Sequence, residues 1–276
     1  FSEYVKWSAT PPVPTHAGMA GIIPGDSSAI VNIDGFRLGL IGLNSAFLQL
    51  SDGNYEGHLD VSESQLLSVT NQAPDDWTKN NHANLLITHH PPTWIERLAH
   101  QRYRSEIYPP RRFTAHLFGH MHFSTTEVTS EGGAVPRRMW QAPSLLGLRK
   151  FHANVKDVER SHGYWVGAFT EVAQGVELRL WPREGRQGNA GDWRLVADSR
   201  FDLDEAQCMT EIVASALSSQ PSRLLNIGKL EQSIPTLLEI NSKNLIDSHA
   251  RGIGTAELLR DEPSTDLQMH TLANQI

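Results

Sequence analysis

Two pairs of histidines carry the chemistry in this sequence. "LLITHHPP" (85–92) runs an apolar stretch into His89 and His90 and then into two prolines, and "LFGHMHFS" (117–124) sets His120 and His122 two residues apart behind Gly119. In an extended segment residues i and i+2 point to the same side, so His120 and His122 read as two imidazoles able to ligate one metal ion or two adjacent ones. Imidazole suits zinc and iron better than calcium. Gly119 gives the backbone freedom to turn where a strand releases these residues into a loop. The plain alternative is that the pairs line ordinary loops, and with thirteen histidines in 276 residues some proximity arises by chance. By strand geometry His90 points to the side opposite His89, so the first pair splits into one residue facing a site and one undecided neighbour.

Strand ends must deliver these residues. "NLLIT" (84–88) is a short continuous apolar run of the kind expected in a strand buried on both faces, and "AHLFG" (115–119) is similar. Ends of strands in α/β sheets are where sites form. Ahead of them, "AIVNI" (29–33) and "FRLGLIGLNS" (36–45) flank Asp34-Gly35, a hairpin signal, and "SESQLLSV" (62–69) reads as a short helix with a serine cap. Behind them the pattern predicts strands in "STTEV" (124–128), "RRMWQA" (137–142), "GYWVGAFTEV" (163–172), "VELRLWP" (176–182) and "DWRLVA" (192–197), with a turn at "AQG" (173–175). Residues 1–28, rich in Pro, Gly and Ser, read as irregular loop. From Asp204 the spacing predicts helix, first over "DEAQCMTEIVASAL" (204–217) and then, interrupted at Pro235, through the rest of the chain. The expected division is a mixed body over 1–201 and an acidic helical extension or linker over 202–276.

Composition excludes several classes. The single cysteine, Cys208, rules out an intramolecular disulfide and a cysteine-based zinc knuckle, and fits a reducing compartment. No apolar run approaches the roughly 18 residues of a spanning helix, and the start is not a signal peptide, so a cytoplasmic location without membrane contact is expected. The net charge is −7, and residues 202–276 hold five basic and eleven acidic residues, leaving the body almost neutral. Without a basic face, nucleic acid is expected only as a substrate. The tail is the expected link to a further domain or protein partner.

"LLITHHPP" followed by "LFGHMH" resembles the second half of the calcineurin-like metallophosphoesterase family, whose blocks are Asp-x-His, Gly-Asp, Gly-Asn-His-Asp/Glu, a strand-end His and Gly-His-x-His. The chain carries the last two. "GLIGLNSAF" (39–47), "QAPSL" (141–145) and "HGYWVGAF" (162–169) also resemble stretches of that family, and the similarity covers roughly residues 20–182. The first three blocks are absent: Gly25-Asp26 and Gly191-Asp192 do not follow buried strands, and the Gly-Asn pairs at 53–54 and 188–189 have no histidine after them. The expectation is that those blocks lie upstream of Phe1.

The resemblance implies an α/β (α+β) fold, a four-layer sandwich of two mixed sheets flanked by helices, lacking its N-terminal part and so leaving one sheet with an open edge. It implies hydrolysis of a phosphomonoester or phosphodiester by a metal-bound hydroxide between two divalent ions (Mn, Fe or Zn) about 3.5–4 Å apart. His89 and His120 match the ligands of one ion and His122 the ligand of the other, while the remaining ligands and the catalytic residues belong to the upstream blocks. A chain without the bridging carboxylate is expected to hydrolyse phosphodiesters poorly.

For substrate contacts the candidates are His90, Asn44 at the end of its strand, and Arg104. Arg104 lies in "RLAHQRYRSEIYPPRR" (97–112), read as a solvated loop with Arg97, Arg102, Arg111 and Arg112, because a guanidinium fork suits phosphate oxygens. His100 and Tyr103 share that loop. His116, inside its strand, reads as packed, His162 as structural, and Trp94 as packing or a pocket wall. Two other functions stay open: a non-catalytic phosphoesterase-like regulatory or scaffolding module, and a mononuclear zinc protein built on these histidines with an added carboxylate.

Overall fold

The computed structural model describes residues 2–9, 18–145, 147–150, 158–188 and 192–217. Seven strands form a mixed sheet: β1 (Met19–Ala20), β2 (Ser27–Ile33), β3 (Phe36–Gly42), β4 (Ala83–Ile87), β5 (Ala115–Phe118), β6 (Thr125–Thr129) and β7 (Arg137–Gln141), ordered β1-β2-β3-β4-β5-β7-β6. Its centre, β3-β4-β5-β7, is parallel, and both flanks are antiparallel. After a two-stranded hairpin, β8 (Gly147–Lys150) and β9 (Val158–Ser161), comes an antiparallel sheet of β10 (Gly163–Val172), β11 (Gly175–Gln187), β12 (Trp193–Ala197) and β13 (Met209–Val213).

The expected hairpin between β2 and β3 turns at Asp34 and Gly35, both with positive φ (50° and 92°), as a two-residue turn that follows the twist of its strands requires. β4 is buried on both faces, as its unbroken apolar run predicts. Leu85 joins Leu40, Ala115 and Trp140 against Trp165, Leu178 and Leu180 of the second sheet, whereas Leu86 joins Ile41 in the core beneath the helices. The helical face carries α2 (Glu63–Val69), α3 (Pro74–Lys79) and α4 (Arg97–Arg102), through Leu66, Val69, Trp77 and Ala99. Helices, mixed sheet and antiparallel sheet are thus the three layers among the described residues.

Gly39 permits close packing on the helical face. A Cβ there would lie 2.3 Å from Asn84 Oδ1 and 2.7 Å from the Trp77 ring. The outer edge of β2 is covered by β1 only at Ser27 and Ser28, so from Ala29 to Ile33 that edge is open among the described residues.

Three sequence expectations are corrected. Ser2–Ala9 is helix (α1), not loop. The stretch from Arg97 is ordered, with α4 passing into a π-helical turn over Tyr103–Ile107, because Tyr103, Ile107 and Tyr108 drop into the core. The predicted helix over 204–217 is instead a turn followed by β13. Asp204 accepts the Cys208 N–H at 3.0 Å and closes the turn. Thr210, Ile212 and Val213 are β-branched, which favours a strand, and they meet a free edge on β11. β11 is long enough for β13 to pair over Val176–Leu180 and β12 over Arg183–Gln187. Pro182, which has no N–H to give, falls between the two partners. The helical expectation for 218–276 lies outside the described residues. No described helix is long and apolar enough to cross a membrane.

Candidate metal centre

The parallel strands end together, and their carboxyl ends build the site. Beyond β4 and β5 the pairing continues for a step, with Thr88 N–H donating to Leu117 C=O (3.0 Å) and Gly119 N–H to His89 C=O (3.0 Å). That second bond ties the two histidine segments together. The strand geometry then breaks. Pro91 opens a single 3-10 turn over Pro92–Trp94, and the Thr88 hydroxyl donates back to His90 C=O at 2.7 Å. His89 and His90 consequently do not diverge as an extended strand would make them. Their ring centres lie 4.6 Å apart, edge to face. His120 completes the group, with ring centres 5.1 Å from His89 and 4.5 Å from His90. One ligand nitrogen from each of His89, His90 and His120 lies within 4.8 Å of the others, and His120 Nδ1 stands 3.1 Å from His89 Nε2.

The loop after β5 also departs from expectation. His120 and His122 both have left-handed backbones (φ 67° and 59°), so "GHMH" is not extended and its two rings are not presented as a pair. Gly119, which was expected to take the unusual conformation, does not have positive φ. Left-handed backbone on a non-glycine residue costs about 1–2 kcal/mol, and such strain concentrates at functional sites. His122 is exposed and stands outside the three-histidine group.

His90 is 1% exposed and is held on two sides. Ser45, just past the end of β3, accepts the His90 N–H at 2.9 Å and bonds its ring Nδ1 at 3.1 Å. Trp94 lies nearly parallel to the His90 ring at 5.2 Å and packs edge to face with His120 at 4.1 Å, so it walls the group. Burial, then the neighbouring His89 and His120, push the His90 pKa down to about 4. Lost hydration among the crowded rings lowers His89 and His120 too. At neutral pH the three imidazoles are uncharged, the form that binds a metal.

No protein-family model matches this chain, and no curated protein is similar to it. The site therefore stands on its own geometry.

The other candidates are placed as follows. Asn44 is engaged locally: its amide donates to Pro24 C=O (2.8 Å), its carbonyl accepts the Ala46 N–H (2.8 Å), and its N–H reaches Asp26 (2.8 Å). Arg104 pairs with Glu131. Arg102 approaches Asp60 at 3.8 Å, and Arg112, its side chain mostly covered, binds Asp75 at 2.9 Å, so these arginines are held in ion pairs. His100 stacks on Tyr103, and His162 bonds Leu145 C=O at 3.1 Å. His116 is fully buried within a directed chain. The Tyr103 hydroxyl donates to its Nδ1 (2.7 Å), its Nε2–H donates to Thr88 (2.8 Å), and Thr88 donates to His90 C=O. Sequence reasoning passed over Ser45 and Gln141, whose amide donates to Phe123 C=O at 2.8 Å and steadies the loop of His120 and His122. The position of each at a strand end was the available signal.

Proposed function

We propose that this chain is a metal-dependent phosphoesterase, acting on a phosphomonoester or phosphodiester. The observation that carries the reading is the convergence of His89, His90 and His120, three neutral imidazoles, at the carboxyl ends of adjacent parallel strands. The donor set fits a first-row transition ion, since imidazole suits zinc and iron, and the buried Nε2 of His90 has no hydrogen-bond partner among the described residues. Such ions, when bound, supply positive charge to phosphoryl oxygens and make water a better nucleophile near neutral pH.

Within this reading His89 and His120 hold one ion and His122 serves the second, in line with the strand-end His and Gly-His-x-His blocks. Ser45 and Trp94 orient the rings, and Trp94 keeps water from one side. The described residues place no carboxylate in the three-histidine group, so the bridging ligand of a paired site is not among the groups gathered here. Slow turnover by this chain follows. The test is hydrolysis of an aryl phosphodiester and an aryl phosphomonoester with Mn²⁺ or Zn²⁺ added. A slow rate that needs metal and disappears with chelator and in His120→Ala is expected. Absence of any metal-dependent rate, or the same rate in His120→Ala, overturns the reading and favours a non-catalytic module.

A further inference from the structure

His90 is the residue whose chemistry the strand-end pattern leaves unassigned. Its ring is almost wholly enclosed, yet Nε2 is buried without a hydrogen-bond partner among the described residues. A buried polar nitrogen left unpaired is destabilising, so it calls for a partner of some kind. Nδ1 is already engaged by Ser45, which fixes the ring, and His90 is one of the three histidines whose ligand nitrogens gather, the others being His89 and His120. The neighbouring nitrogens belong to imidazoles and are themselves metal-ligating atoms.

We propose that His90 is a third protein ligand, so that His89, His90 and His120 together hold one first-row transition ion of the zinc or cobalt class without any carboxylate. A tetrahedral ion with bonds of about 2.0–2.1 Å sets its ligand atoms roughly 3.4 Å apart. The His89–His120 pair is at 3.1 Å and all three atoms lie within 4.8 Å, so small ring rotations close the shell. In the ligating tautomer the His90 Nδ1–H donates to Ser45 Oγ and leaves the Nε2 lone pair for the ion, the outer-shell bond that orients metal-bound histidines generally. Three protein ligands leave a fourth position open, as catalytic sites of this kind do. Among the three rings only His89 is exposed, so that position opens on its side, where a phosphate-ester oxygen would enter. The left-handed backbone of His120 gains a reason, because its ring must turn back toward β4 to meet the other two. The inference rests on the metal in the functional reading and not on hydrolysis.

The test reads coordination. The full chain is titrated with Co²⁺, and the visible absorption bands of four-coordinate cobalt are followed. One equivalent per chain is expected at the three histidines, with a tetrahedral-type spectrum, because the ion that His122 would serve has no bridging carboxylate among the described residues. His90→Phe keeps a ring against Trp94 and removes the lone pair, and should weaken Co²⁺ binding by more than about 100-fold, beyond the 10–100-fold typical of losing an outer-shell partner. Ser45→Ala should fall within that 10–100-fold range, and His58→Ala, at an exposed histidine that bonds Glu56 C=O and lies outside the group, should match the parent. X-ray absorption of the Zn²⁺-loaded parent chain should count three imidazoles, a measurement that does not depend on any variant folding. Unchanged affinity and spectrum in His90→Phe, two imidazoles in the absorption data, or no cobalt binding overturns the proposal. A bound ion with no phosphoester hydrolysis would refute the functional reading and leave this one standing.

Discussion

The buried His116 makes the fold acid-sensitive by a calculable amount. Its ring is fully enclosed between Tyr103 and Thr88, and burial lowers its pKa to about 3 from an ordinary value of 6.5. A histidine whose folded pKa lies below its unfolded value takes up its proton in the unfolded chain first. Its contribution is therefore complete above about pH 6.5 and is lost as the pH falls toward 3. With those two values, moving from pH 7.5 to pH 5 removes about 2 kcal/mol through His116 alone. For a urea slope of about 2 kcal/mol/M this lowers the unfolding midpoint by roughly 1 M. His90 shifts the same way for the same leading reason, and burial lowers His89 and His120 too, so the parent chain should lose stability with a slope above one proton.

His116→Gln isolates the effect. A glutamine amide can accept from Tyr103 and donate to Thr88 and does not titrate. The variant starts less stable from imperfect packing, but its loss between pH 7.5 and pH 5 should be smaller than the parent's by about 2 kcal/mol. Urea unfolding at the two pH values, followed by tryptophan fluorescence with chelator present, measures both slopes. Parallel losses in parent and variant would refute the reasoning, since they would mean that His116 titrates alike in both states.

The left-handed backbone at His122 carries strain without buried packing in return, so His122→Gly should stabilise the metal-free chain by about 1 kcal/mol in urea unfolding. Gln65 is fully buried, accepts the Ser62 N–H (2.8 Å), and donates to Asp26 (2.8 Å) and Asn44 C=O (3.1 Å). Gln65→Ala leaves these groups without partners and should cost about 3 kcal/mol, read by the same assay, with a loss below 1 kcal/mol counting against a structural role.

The frame was legible where local pattern and tertiary demand agree. β4 could be read from an unbroken apolar run because both of its faces are covered, and the β2–β3 turn from Asp-Gly because left-handed backbone is what such a turn needs. The stretch over 204–217 misled because acidic and apolar residues at helical spacing also suit a turn and an edge strand. The open edge of β11, many residues away, decides between them. Likewise the run after Arg97 looked solvated because its arginines dominate it, while Tyr103 and Ile107 bury themselves beneath.

The site shows the same division at finer grain. Strand alternation predicts that His89 faces a site while His90 turns away, and that His120 and His122 act as a pair. Both rules hold only while the backbone stays extended, and here it stops being extended at the residues in question. The Thr88 hydroxyl bonding back to His90 C=O and the proline stop swing His90 inward. Left-handed conformations at His120 and His122 bring the first in and leave the second outside the group. Prolines and a glycine mark where regular geometry ends, but not the direction the chain takes next. That direction is set by Ser45 and Trp94, which touch His90 from two different segments. Histidine identity therefore locates the chemistry to within a few residues, and the contacts at the strand ends select which imidazoles meet.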